Sequence, residues 1–176
     1  MLAESHDAAT INLALLALRA SIGCMIAAHG LNKFFGGGKI AGTAGWFDSI
    51  GMRPGRTNAL LAAFAEVGIG VLLVLGALTP FAAAGLIGLM TVAIVTVHRA
   101  NGFFVFRPGQ GIEYCLMTAI AAGVVGALGP GEWSLDHVAN WWDYSATAGL
   151  AIAVGLGLLG AATQLVIVWR PPARDG

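Results

Sequence analysis

The sequence predicts an all-α protein, a polytopic bundle of transmembrane helices with a short interfacial amphipathic helix, and three observations predict it. Only 10% of the residues are charged and 57% are hydrophobic, with a mean hydropathy of +0.80; a soluble domain carries roughly 25% charged residues. Apolar segments recur at 11–31, 57–77, 81–98, 112–128 and 146–169, most of them near the ~20 residues needed to span a bilayer. Eight of the nine Lys and Arg residues fall on one side of the layout these segments define, and the ninth, Arg19, lies inside the first segment.

Each element has a local reason. The N-terminus, MLAESHDAAT, is acidic and lacks the basic region of a signal peptide, so the first segment is expected to be retained. Gly/Pro-rich or charged stretches separate the segments. Leu78-Thr79-Pro80 joins the second and third tightly, which makes them an antiparallel hairpin. The fourth is short, so its inner end is expected in the protein interior or at the interface. Between Gly36 and Arg56, Ile40, Ala44, Phe47 and Ile50 recur at helical spacing beside Trp46; this is the pattern of an amphipathic helix lying on the membrane surface. The last segment carries small residues at Ala151/Gly155 and at Ala153/Gly157/Ala161, a spacing that permits close helix approach.

The charges orient the chain. Lys33, Lys39, Arg53 and Arg56 follow the first segment, Arg99 and Arg107 the third, and Arg170 and Arg174 the fifth. The opposite side has Glu4, Asp7, Glu132, Asp136 and Asp143. The positive-inside rule then predicts a multi-pass protein of the plasma or inner membrane, N-terminus outside and C-terminus cytoplasmic. An odd number of spans keeps all eight basic residues cytoplasmic. Phe34, Phe35, Phe103, Phe104, Phe106 and Trp169 mark the inner ends, and Trp133, Trp141, Trp142 and Tyr144 the outer side. Zero net charge and the lack of a basic tract argue against a nucleic-acid partner.

Ionisable groups inside a bilayer cost ~2.5–3.5 kcal/mol each on an insertion scale, so they are the first candidates for a site. Counting residues from the segment ends puts Arg19 and Glu66 at similar depth, which predicts an intramembrane ion pair: either a clasp between helices or the wall of a ligand pocket. A second cluster is expected near the inner face, from His29, Lys33, His98, Glu113 and Tyr114. His29 and Lys33 are four residues apart and share a helix face. The cluster lacks HxxxH or ExxH spacing, so no metal site is expected. Cys24 and Cys115 read as small buried hydrophobes, reactive as a pair only if their helices touch.

The same residues carry a family resemblance. The run Arg19…His29-Gly30-Leu31-Asn32-Lys33-Phe34 resembles the first helix of the DoxX family, and Gly42-Thr43-Ala44-Gly45-Trp46-Phe47 its amphipathic connector. Glu66-Val67-Gly68…Leu73-Val74-Leu75-Gly76 resembles its second helix. Thr91…His98, Gly102-Phe103-Phe104, Gly111-Ile112-Glu113-Tyr114 and Gly129-Pro130-Gly131-Glu132-Trp133-Ser134-Leu135-Asp136 continue the match in order. The resemblance implies a four-helix core over 11–137 of a single membrane domain, 1–176, with 146–169 as an added fifth span. It also implies a redox or thiol-stress setting, often within a complex; the family is named for subunits linked to archaeal quinone-dependent sulfur and terminal oxidase chemistry. No dinucleotide or haem motif is present.

Three functions follow as expectations. The first is a redox-associated subunit that binds a quinone or another apolar ligand beside Arg19 and Glu66. The second is a membrane anchor or assembly partner without chemistry of its own, acting as a homo-oligomer or within a redox complex. The third and weakest is a proton-coupled exporter, since a cation beside Glu66 would hold the carboxyl charged.

Overall fold

The computed structural model describes residues 2–141 and 143–171, with side chains from residue 7 onward. Trp142, Arg174 and the side chain of Glu4 lie outside the described residues. The elements are α1 Leu2–Phe35, α2 Lys39–Ser49, α3 Gly55–Leu75, α4 Thr79–Thr96, a 3-10 turn His98–Asn101, α5 Glu113–Leu128, α6 Leu135–Ala139 and α7 Ala146–Val168. The protein is a helical membrane bundle. Four helices are long and apolar enough to cross a bilayer: α1 from Asp7, α3, α4 and α7. α5 has 16 residues, ~24 Å at 1.5 Å per residue, short of a ~30 Å core. Its basic end starts from a loop folded back on itself, where Ile112 and Glu113 donate to Gly102 O and Phe103 O.

Small residues decide the packing. A Cβ at Gly23 would come within 2.6 Å of Gly70 O, and one at Gly30 within 2.8 Å of Ala63 O. α1 and α3 therefore approach backbone to backbone, as small-xxx-small faces allow. α4 lies in the middle of the bundle, with α3 on one side and α5 and α7 on the other. On α7 the buried residues are Gly149, Ala153, Gly157 and Ala161, four apart. Gly157 meets Ala84 O and Ile87, and Gly149 meets Gly126 O. The Ala153/Gly157/Ala161 spacing thus serves packing within the chain, while Ala151 and Gly155 face outward. The fifth apolar segment, as α7, is an integral wall of the bundle.

The surface helix is present as α2. Asp48 Oδ1 accepts from Gly55 N at 2.8 Å, tying α2 to the start of α3. Past α2, residues 50–53 run antiparallel to the end of α7. Arg53 N donates to Val168 O (3.0 Å), Arg170 N donates to Gly51 O (2.8 Å) and Trp169 Nε1 donates to Ile50 O (3.1 Å). Arg99 lies over the Trp169 ring at 5.5 Å. This strap closes the bundle at the end where Lys33, Lys39, Arg53, Arg56, Arg99, Arg107 and Arg170 gather, the basic end. Glu132, Asp136 and Asp143 lie at the other, acidic end. Cys24 is exposed and Cys115 buried, and neither is in a disulfide.

Candidate functional site at the basic end of the bundle

Arg19 and Glu66 do not form the expected ion pair. Gly23 lies against Gly70 and Val74, and Gly30 against Ala63 and Val67, so the register of the antiparallel helices puts Glu66 level with His29. That is about ten residues, or ~15 Å, from Arg19. Helical side chains also tilt toward the helix N-terminus. On antiparallel helices this carries Arg19 toward the acidic end and Glu66 toward the basic end, widening the gap.

Arg19 is a clasp. It is fully buried, and its Nη1 donates to Leu73 O (3.0 Å) and Val74 O (3.2 Å), its Nη2 to Trp133 O (2.7 Å). The carbonyls at the end of α3 have no intrahelical donors, and a cation there also suits the helix dipole. Gly76 closes α3 at φ +62, and a Cβ on it would strike Arg19. Asp136 completes the junction. It accepts from Leu78 N, Thr79 N and Thr79 Oγ1 at 2.7–2.9 Å, while its own N donates to Gly76 O at 2.9 Å. Asp136 is thus the N-terminal cap of α4, supplied from a distant loop. Asn12 and Glu132 dock that loop on α1 through paired bonds of 2.8 and 2.9 Å. Sequence reading put Asp136 on the outer side and missed this role, because a capping residue remote in sequence leaves no local pattern.

Glu66 pairs instead with Lys33, whose Nζ donates to Glu66 Oε2. The two side chains keep 12% and 17% exposure, and they face a cavity of about 240 Å³ at the basic end. His29 and Lys33 come to it from α1, Trp46 and Phe47 from α2, Glu66 from α3, Met90 from α4, His98 from the 3-10 turn and Tyr114 from α5. Gln110 and Gln164 complete its polar lining. Tyr114 Oη donates to Met25 Sδ at 3.4 Å and stands 3.5 Å from His29 Nε2. The contact to sulfur is of ordinary length, while that to His29 is at the long edge of hydrogen bonding. His98 Nδ1 is fixed at 2.8 Å from Gln110 O.

Of the expected inner cluster, His29, Lys33, His98 and Tyr114 meet in this cavity, with Glu66 added. Glu113 is not among the lining residues: its Oε2 accepts from Val105 N at 2.9 Å and braces the folded-back loop. Gln164 and Trp46 were not singled out from the sequence as site residues, although Gln164 is a lone amide in an apolar helix, a signal that could have found it. Among the described residues no group of three or more His, Cys, Asp or Glu could hold a metal ion.

The model of the DoxX family matches residues 14–99. Those residues form a DoxX domain. The match is narrower than the resemblance over 11–137 and takes in most of α1, all of α2, α3 and α4, and the start of the 3-10 turn. The cavity therefore straddles the edge of the DoxX match: His29, Lys33, Glu66 and His98 come from within it, and Gln110, Tyr114 and Gln164 from the remainder of the chain. No curated protein and no solved structure matches the chain significantly.

The cavity combines an apolar lining with a few convergent polar groups, the usual make-up of a small-molecule site. Ligand pockets of drug-sized molecules run ~300–1,000 Å³; at about 240 Å³ this one is smaller, with room for a group about the size of one ring. Lys33 Nζ, Tyr114 Oη and the Gln164 amide are donors, and Glu66 and the free ring nitrogens are acceptors.

Proposed function

We propose that this multi-pass DoxX protein is a redox-associated membrane subunit that binds a lipid-soluble quinone, with the headgroup in the cavity beside Lys33 and Glu66. The observation that carries the reading is the Lys33–Glu66 pair on the wall of a ring-sized cavity that mixes apolar side chains with a few polar ones. A quinone carbonyl accepts from Lys33 or Tyr114, and a quinol hydroxyl donates to Glu66, so one set of side chains serves both oxidation states. Arg19, whose bonds go to backbone carbonyls, holds the helices and takes no part in binding. Since the basic residues gather at one end, the same proposal places that end, and the C-terminus, in the cytoplasm. A redox partner supplies the electrons in this scheme.

The test is equilibrium binding of a short-tailed benzoquinone to the protein in nanodiscs. Saturable binding is expected, weakened roughly tenfold or more by Lys33→Met and by Tyr114→Phe, since a hydrogen bond to a charged group contributes ~1.5–3 kcal/mol. Arg56→Gln, an exposed cation at the same end, leaves it unchanged. Partition into the bilayer alone, the same with every variant, overturns the reading.

A further inference from the structure

The headgroup cavity opens sideways as well as toward the basic end. α3 and α7 flank α4 without packing closely on each other, and the gap holds two clefts of about 380 and 370 Å³. Both clefts share Leu89 and Gln164 with the cavity, and both include Ala65. Away from the cavity the groove is apolar, walled by Ile69 and Leu156 among others, and Gly160 on α7 leaves it open, with nothing within 4 Å of a Cβ. The groove has a polar landmark too. Asn58 is 1% exposed and lines the cleft toward the start of α3; its Nδ2 donates to Pro54 O at 2.9 Å, while its buried Oδ1 has no hydrogen-bond partner. A buried acceptor left unpaired costs ~1–3 kcal/mol, so this atom is suited to a donor that arrives from outside the chain.

We propose that the groove between α3 and α7 is a lateral portal: the isoprenoid tail of the bound quinone lies along it, and the headgroup passes through the window at Leu89 and Gln164. This rests on the headgroup reading above. The cavity is ring-sized, so a long tail has to leave it, and the groove is the apolar path that shares its walls. An extended tail needs width without side-chain obstruction, which Gly160, with nothing within 4 Å of a Cβ, provides. The free Asn58 oxygen accepts from a quinol hydroxyl in transit, and a quinone carbonyl, having no proton, cannot use it.

The test compares two quinones with one headgroup, carrying a single isoprene unit or a long isoprenoid tail, on the whole protein in nanodiscs. Gly160→Leu is the informative variant, because nothing lies within 4 Å of a Cβ at that position and the new side chain fills the groove without displacing a helix. Ala65→Leu blocks the opposite wall. Either variant is expected to weaken the long-tailed ligand roughly tenfold, by the loss of buried tail, and to leave the short-tailed ligand unchanged. Equal affinity of the long-tailed ligand for wild type and both variants, with short-tailed binding intact, overturns the portal and spares the headgroup site. A loss of self-association on Gly160→Leu without any change in affinity assigns the groove to a second copy and likewise overturns it. No binding of either ligand to wild type overturns the headgroup site and the portal together.

Discussion

Lys33 on α1 donates to Glu66 on α3, and the pair stands on the cavity wall rather than between tightly packed helix faces. The stem of Lys33 runs back toward its helix N-terminus and the carboxylate of Glu66 toward its own, so on antiparallel helices the two charges converge. Each keeps some exposure, which leaves polar atoms free for a ligand. A pair that served packing alone would be expected to be dry.

This pairing has a measurable signature. Glu66→Gln or Lys33→Met alone leaves one charge unmatched inside the bundle and should destabilise the protein by about 3 kcal/mol, the low end for breaking a buried pair, because both side chains keep partial exposure. Replacing both together should cost less than either single change. A double-mutant cycle on thermal unfolding in detergent reads the coupling; additive losses would show that the two residues act separately.

Arg19 should behave differently. Arg19→Ala leaves the carbonyls of Val74 and Trp133 without their donor and Leu73 O with only Gly76 N, and is expected to destabilise by roughly 2–5 kcal/mol, at ~1–3 kcal/mol per unpaired buried acceptor. The folded fraction should bind quinone with unchanged Kd. Titration of the protein that remains folded separates the two effects, and a weakened Kd with unchanged stability would return Arg19 to the site.

The strap at the basic end depends on Gly51. Its φ is +86, and a Cβ there would fall 2.0 Å from Arg170 O. Gly51→Ala should therefore release the 50–53 segment from the end of α7, at a cost of about 1–3 kcal/mol. Amide exchange at Arg53 and Arg170, which donate across the strap, should accelerate in the variant while exchange in the middle of α4 does not.

At the acidic end Tyr144 should titrate late. Burial, and then the nearby negative charge of Asp136, pushes its phenol up to about 12. Its hydroxyl is buried without a hydrogen-bond partner among the described residues. The folded state therefore holds the proton more tightly than the unfolded chain, whose phenol titrates near 10. The contribution to stability is fully present below about pH 10 and is lost as the pH rises toward 12. Tyr114→Phe leaves Tyr144 as the sole tyrosine, so phenolate absorbance in that variant follows it directly; a midpoint near 10 would contradict its burial.

Much of the fold was legible because hydropathy and breakers are local. The apolar segments and the 36–56 amphipathic pattern correspond to α1, α3, α4, α5, α7 and α2, and the basic residues gather at one end as the loop charges imply. Register was not legible. It is set by Gly23 and Gly30 meeting Gly70 and Ala63, contacts that residue counting from segment ends does not see, and the error moved Arg19 to the wrong partner. His29, Lys33, His98 and Tyr114 could be grouped from the sequence because helix ends share a depth. Glu113 shares that depth too, but the folded-back loop takes its carboxylate. Asp136 and Asn58 act through contacts distant in sequence or through an unpaired atom, and no spacing rule reveals either.

The most direct test is a structure of the protein in nanodiscs made with its native lipid retained. Density for a flat ring within hydrogen-bonding reach of Lys33, Glu66 or Tyr114, with a tail leaving between α3 and α7, is the expected result. A cavity containing only water, with the retained lipid confined to the outer faces of the bundle, would contradict the quinone-binding account.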